Sequence, residues 1–267
     1  MPDPAGSTKK STYEEEHWRE FLTQGDSMLH FGRRVFTHLP SSPRCRLCTA
    51  PFGGIGGPVM RLIGKGPSPA NPNMCMSCAN ALIRHHGGAE VEGTMLFADI
   101  RGSTALAERM TPAEFHGLLD RYFATATKVV FDHDGFIDKF VGDELVALFF
   151  PLLSGERHTV RAVACAQALL RATGHADPDG PWVPIGAGIN YGTAWFGAVG
   201  DGTHAELTAV GDAVNVAARL AAAAGGGEVL VSAAAAEAAG LDPAFERRSL
   251  DLKGKQATVE AISLRVA

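Results

Sequence analysis

The hydrophobic pattern of this chain changes texture near residue 90. Before it, "YEEEHWREFLTQGDSMLHFGRRVFTHL" spaces Trp18, Phe21, Leu22, Leu29, Phe36 and Leu39 among charges, which predicts two short amphipathic helices broken near Gly25. Such a stripe serves packing or a dimer seam. After it, "VEGTMLFADI" reads as a strand, and "TPAEFHGLLDRYFATATKVVFDHDG" reads as a helix with Pro112 in its first turn and Gly135 closing it. "FIDKFVGDELVALFF" is two apolar strands folded about Gly142-Asp143. There follow a helix carrying Cys165, a strand "VPIGAGINYG", a partner run "TAWFGAVG", a helix "GDAVNVAARLAAAA" ended by Gly225, a strand "GEVLVS", and closing strands from "RRSLDLKGK" to "VEAISLRV". The order β-α-β-β-α-β with extra edge elements predicts an α+β, ferredoxin-like sandwich.

Composition narrows the partners. The chain has 267 residues, 46% hydrophobic and 20% charged, enough for one substantial core and a small satellite domain. A formal charge of −5 leaves no dominant basic face, so nucleic acid is not the expected partner and a small molecule is. No apolar run approaches the ~20 residues of a membrane span, and the polar start "MPDPAGSTKKSTYEEEHW" carries no signal-peptide apolar region. The expectation is a cytoplasmic protein without membrane contact.

Cysteine usage fits that compartment. Cys45-x-x-Cys48 and Cys75-x-x-Cys78 form matched pairs, whereas Cys165 lies alone in "RHTVRAVACAQALLRAT" as a buried small hydrophobe. In a reducing compartment such pairs are more often metal ligands than disulfides, and four thiolates suit tetrahedral zinc. An iron–sulfur cluster and unliganded thiols are the alternatives. His85 and His86 in "RHHGG" read as solvated linker residues. The intervening "GGIGG" is no dinucleotide fingerprint, because no strand is predicted ahead of it and Pro58 interrupts the helix turn that should follow. The domain plan is a helical segment (1–44), a cysteine-rich metal module (45–84), a linker (85–91) and a catalytic domain (92–267).

Asp99 ends one predicted strand and Asp143 lies at a hairpin tip, so adjacent strands would bring the carboxylates together at a sheet edge. Two hard oxygen donors invite magnesium or manganese. The corner Gly102-Ser103-Thr104 opens a helix whose free N–H groups suit phosphate. An isolated Asp of this kind is usually a helix cap; the combination points to phosphoryl chemistry.

"FADIRGST", "DKFVGDELVALF", "GAGINYGTAWFGAVG", "VGDAVNVAARL" and "DLKGK" resemble, in order and spacing, the motifs of class III adenylyl and guanylyl cyclases over residues 94 to 265. The resemblance implies a class III nucleotidyl cyclase sandwich that cyclises a nucleoside triphosphate by attack of its 3′-hydroxyl on its own α-phosphate, with loss of pyrophosphate. By position, Asp99 and Asp143 would hold two Mg2+ or Mn2+ ions, with the Ile100 carbonyl as an extra ligand. Asn215 and Arg219, four apart on one helix face, would hold the ribose and the α-phosphate. Lys253 would contact the outer phosphates, with Lys255 as its nearby substitute.

Base choice falls to Lys139 and Thr208, the second matching a bacterial and soluble subgroup of the family in which Thr replaces Asp. An ammonium donates to adenine N1, whereas guanine presents a donor there, so ATP is expected over GTP. That subgroup often responds to bicarbonate. Thr193 departs from the pattern: some members place a triphosphate-binding arginine there. The resemblance also implies a homodimer with shared sites. Other readings are a guanylyl or pyrimidine nucleotide cyclase, a nucleotide-sensing pseudoenzyme that controls the cysteine module, and a zinc-mediated interaction factor.

Overall fold

Thr111 caps the 21-residue helix Pro112–Asp132 and shows how local chemistry sets the elements. In this computed structural model its side chain accepts from the Glu114 amide at 3.3 Å while Glu114 accepts from the Thr111 amide at 2.8 Å, and Pro112 follows in the first turn. The helix ends where Asp134 adopts φ 58° ahead of Gly135. The structure describes residues 4–24, 27–39, 41, 43–69, 72–84, 87–201, 204–251 and 258–266.

In chain order the first elements are helices α1 (Pro4–Gln24), α2 (Ser27–Thr37), α3 (Gly56–Leu62) and α4 (Met76–Arg84). Then come β1 (Gly87–Ile100), α5 (Ser103–Arg109), α6 (Pro112–Asp132), β2 (Phe136–Val141), β3 (Glu144–Phe149), α7 (Pro151–Ser154) and α8 (His158–Ala172). The remainder is β4 (Ile185–Asp201), β5 (His204–Val210), α9 (Asp212–Ala223), β6 (Val229–Ser232), α10 (Ala233–Ala239), β7 (Arg247–Leu250) and β8 (Val259–Leu264).

The chain divides into two compact units. The larger comprises residues 92–150, 156–193 and 211–267. Its sheet runs β2-β3-β1-β4-β6-β8-β7. The first four strands have the ferredoxin-like order, and the last three extend the sheet beyond β4. Val229 and Val231 of β6 face a core with Val130 of α6, Leu169 of α8 and Ala235 of α10, while Leu230 faces Val216 and Leu220 of α9. Alternation along one strand therefore gives each sheet face its own helix layer. β1 and β3 are antiparallel from Thr94↔Phe149 to Ala98↔Leu145, and β2 and β3 form the expected hairpin, with Val141↔Glu144 closing around Gly142 at φ 62°.

The smaller unit joins residues 1–91 to 151–155 and 194–210. Here α1 packs on α7, and α4 packs on β5. The outer half of β4 pairs with β5 from Trp195↔Val210 to Asp201↔His204. β1 starts against this hairpin: a Cβ on Gly88 would lie 2.3 Å from the Phe196 carbonyl oxygen and 2.7 Å from Gly197 Cα, so only glycine fits the crossing.

Several expectations change. "VPIGAGINYG" and "TAWFGAVG" are one continuous strand, β4, whose partner is β5. Pro58 does not interrupt a helix; it sits in the first turn of α3, where its missing N–H is no loss. Residues 87–91, read as linker, open β1, while His85 and His86 lie outside the described residues.

Candidate active site and cysteine cluster

β1 and β3 deliver the carboxylates as their pairing requires. Ala98↔Leu145 is the last described pair, so Asp99 and Ile100 continue β1 beside the turn that carries Asp143 and Glu144. Tyr122 of α6, fully buried, donates to the Ala98 carbonyl at 3.2 Å and props the end of β1 from below. Burial, then hydrogen bonding to Asp143, pushes the Asp99 carboxyl up to about 6. Burial and the charges of Asp99 and Asp143 push Glu144 up to about 7. Oδ2 of Asp143 is buried with no hydrogen-bond partner. A crowded, half-desolvated acid set with an orphaned oxygen fits a divalent cation held by oxygen ligands.

Residue pattern alone missed a cation here. Arg101 ion-pairs through Nη2 with Asp99 Oδ2, while its Nη1 donates to the carbonyls of Ala222 at 3.2 Å and Ala224 at 3.3 Å. One guanidinium thus ties the end of β1 to the carbonyl end of α9. Asn215 is exposed and Arg219 half-buried on that helix, beside core residues Val216 and Leu220. Asn215 lies seven residues before Ala222, about 10 Å up the helix. The structure therefore brings together Asp99, Ile100, Asp143, Glu144 and Arg101, and sets Asn215 apart from them.

Lys139 follows a β-bulge: Ile137 pairs with Ala147 but Lys139 pairs with Val146, leaving Asp138 as the extra residue. Bulges re-aim side chains and occur beside active sites. Asp138 is buried and holds Lys139 Nζ at 3.4 Å. Thr208 is buried in β5, opposite Gly197, in the smaller unit. Gly102, at φ 70°, precedes α5, and Ser103 and Thr104 are its first residues. Thr193 is exposed. Lys253 and Lys255 lie outside the described residues.

In the smaller unit Cys45, Cys48, Cys75 and Cys78 are all buried, and their sulfurs lie within 4.8 Å of one another. This cluster could hold a metal ion. Cys45 and Cys48 flank a tight loop in which the Cys45 amide donates to the Ala50 carbonyl at 3.0 Å and Thr49 returns to the Cys45 carbonyl at 2.9 Å. Cys75 immediately precedes α4, and Cys78 sits in its first turn. The Cys75 amide donates to Cys45 Sγ at 3.3 Å. Hydrogen bonding among the sulfurs pushes Cys45 and Cys78 up and pulls Cys48 and Cys75 down, as expected when adjacent thiols cannot all ionise together. Burial opposes the charge of Lys65, and the field of all four sulfurs outweighs it, raising its pKa. The cluster therefore has a cation at its border. Cys165 stays apart, fully buried in α8, with its thiol pushed up by burial.

These features coincide with a known family. The chain belongs to the Adenylate and Guanylate cyclase catalytic domain family, which matches residues 89–262. An adenylate cyclase of Anabaena cylindrica is 35% identical over 136 residues, 48% of this chain and 26% of its own length. Adenylate cyclase 1 of Rhizobium meliloti is 37% identical over 144 residues, 51% of this chain and 22% of its own. The matched region is thus about a quarter of each of these curated relatives. Among solved structures, the guanylyl cyclase Cya2 superposes with TM-score 0.59 at 31% identity, covering 66% of this chain and 93% of its own. The adenylyl cyclase CyaB from P. aeruginosa gives 0.58 at 28% identity, covering 67% and 97%. Among the described residues no helix is long and apolar enough to cross a membrane.

Proposed function

We propose that this chain is an adenylate cyclase of the cytoplasm, converting ATP to cyclic AMP and pyrophosphate in a homodimer with shared sites. The observation that carries the reading is the buried, unpartnered Oδ2 of Asp143 beside Asp99 at the end of β1. Asp99, Asp143 and the Ile100 carbonyl would hold two Mg2+ or Mn2+ ions, which when bound lower the pKa of the 3′-hydroxyl and offset triphosphate charge.

The chain's own residues supply the rest. Lys139, steadied by Asp138, donates to adenine N1, and Thr208 completes the base contact. Asn215 orients the ribose. Arg219 meets the charge that builds on the α-phosphate, and a guanidinium fixed on a helix does so without reorganising during reaction. The turn Gly102-Ser103-Thr104 and Lys253 would contact the remaining phosphates. The cysteine cluster, read as a zinc centre with an iron–sulfur cluster as the alternative, stands outside this chemistry. A guanylyl cyclase is the second reading, because Cya2 carries that name at 31% identity.

The test is to incubate the purified chain with each of the four common nucleoside triphosphates and manganese, and to identify cyclic products by mass. Cyclic AMP should dominate, and Asp143→Asn should lower its rate by at least ~100-fold. Dominant cyclic GMP would move the assignment to the second reading. No cyclic product from any substrate would leave a nucleotide-binding pseudoenzyme and overturn catalysis.

A further inference from the structure

The four sulfurs have spacings that discriminate between occupants. Cys48 Sγ and Cys75 Sγ are 3.7 Å apart, far beyond the ~2.05 Å of a disulfide. A tetrahedral ion with metal–sulfur bonds of ~2.3 Å places its ligands about 3.8 Å from one another. A polynuclear iron–sulfur cluster distributes its thiolates over separate irons and so spreads them more widely than a single ion does. A set confined within 4.8 Å matches one ion. The Cys75 amide directed at Cys45 Sγ favours the anionic charge that four thiolates retain around a divalent metal.

The position of the cluster gives the ion a task. Cys75 and Cys78 anchor the start of α4, and α4 packs on β5. Among the described strands β5 pairs with β4 alone. β5 therefore hangs on the sheet by one neighbour, and the helix that covers it adds to its order. α4 has nine residues, and α3 beside it in sequence has seven, too short to persist without a staple. We propose that Cys45, Cys48, Cys75 and Cys78 bind one zinc ion as a closed tetrathiolate site, and that this ion holds α4 against β5, the strand that carries Thr208. Metal loading of the cysteine module thereby sets the order of the strand assigned above to base contact; only this last consequence rests on the proposed function.

Elemental analysis and native mass spectrometry of the full chain should return one zinc per chain. Cys78→Ser should lose it, and Cys165→Ser should keep it. Cobalt added to metal-free wild-type protein should give, at one equivalent, the visible spectrum of a tetrahedral thiolate site, which covers the case of an insoluble Cys78→Ser variant. Hydrogen exchange before and after chelation should show the amides of residues 204–210 losing protection by at least about tenfold, while β6 and β8 keep theirs. A protein that takes up neither zinc nor cobalt, or that contains iron with inorganic sulfide, overturns the site. Zinc bound with unchanged exchange in β5 overturns its task. If zinc and the β5 response are found but Thr208→Ala leaves ATP and GTP use unchanged, the inference stands and the base-reading role of Thr208 falls.

Discussion

Gly188 in β4 is where α9 rests on the sheet, and it offers a quantitative handle on the helix proposed to supply Asn215 and Arg219. A Cβ at this position would lie 2.1 Å from the Ala221 amide nitrogen, 2.5 Å from the Ala217 carbonyl oxygen and 2.7 Å from Leu220 carbonyl carbon, where ordinary contact begins at 3.4 Å. All three atoms are backbone, so no side chain can rotate away and α9 must retreat by about 1 Å. Overpacking of this kind costs about 1–3 kcal/mol, which for a protein of this size lowers Tm by roughly 2–10 °C. Asn215 and Arg219 travel with the helix, and a misplacement of about 1 Å costs on the order of 100-fold in rate. Gly188→Ala should therefore lower both Tm, read by differential scanning fluorimetry, and kcat for cyclic AMP formation, read well below the new Tm. Gly117→Ala is the control: nothing lies within 4 Å of its added Cβ on the exposed face of α6, so stability should rise by ~0.5–1 kcal/mol with kcat unchanged. A Gly188→Ala protein with wild-type Tm would refute the seating of α9. Lowered Tm with wild-type kcat would remove Asn215 and Arg219 from the reaction.

Shared sites predict complementation. Asn215 sits about 10 Å along α9 from the carbonyls that Arg101 binds, so inactive Asp99→Asn and Asn215→Ala chains, mixed under subunit exchange, should regain about one quarter of wild-type activity. Heterodimers without activity would place each pocket within one chain. Glu228 is buried and accepts from Gly225 N at 2.7 Å, Arg248 Nη1 at 2.8 Å and Ser263 Oγ at 2.7 Å; burial opposes its charge, but these bonds outweigh it and lower its pKa. Glu228→Gln should cost about 2 kcal/mol, seen as a lower urea midpoint at unchanged m, and an unchanged midpoint would contradict the network. His175 Nε2 accepts the Ile185 amide at 3.0 Å, and burial lowers its pKa below the ordinary 6.5. The unfolded chain then takes up the proton first, so stability is full above pH 6.5 and falls as pH drops through and below that value. His175→Gln, which still offers an acceptor, should flatten that slope in pH-dependent melts; an unaltered slope would mean His175 is not the titrating group.

Most of the sandwich was legible because its signals are local. Apolar runs marked β1 to β3, Gly142-Asp143 marked the β2–β3 hairpin, and Pro112 marked the start of α6. The errors fall where pairing at a distance decides. Gly192 and Thr193 read as a break, yet β4 continues through them because β5 pairs with its outer half. The alanine run of α10 offered no amphipathic stripe; Ser232, which accepts from the Ala235 amide at 3.2 Å, and Gly240 at φ 65° were its local marks. The bulge at Asp138 has no signature in "FIDKFV", since register is a property of two strands.

At the carboxylate site the residue types identified the acids but not the balance of charge. Asp99 and Asp143 stand out at a strand end and a turn, whereas nothing in the residue pattern singles out Glu144 or Arg101. Pairing of β1 with β3 places Glu144 in the field of both aspartates, and Arg101 turns back onto Asp99 while holding Ala222 and Ala224. Three acids against one cation leave the excess of negative charge that a divalent ion would neutralise. The cation already present is also the tie to α9. If the Asp99 carboxylate held a metal ion, the Ala222 and Ala224 carbonyls would still keep the Arg101 guanidinium at the helix end where positive charge is favoured. The carboxylate proposed to hold a metal at β1 and the seating of α9 therefore meet in one side chain, Arg101, and the crossing at Gly188, which admits no Cβ, fixes the same helix from the sheet side.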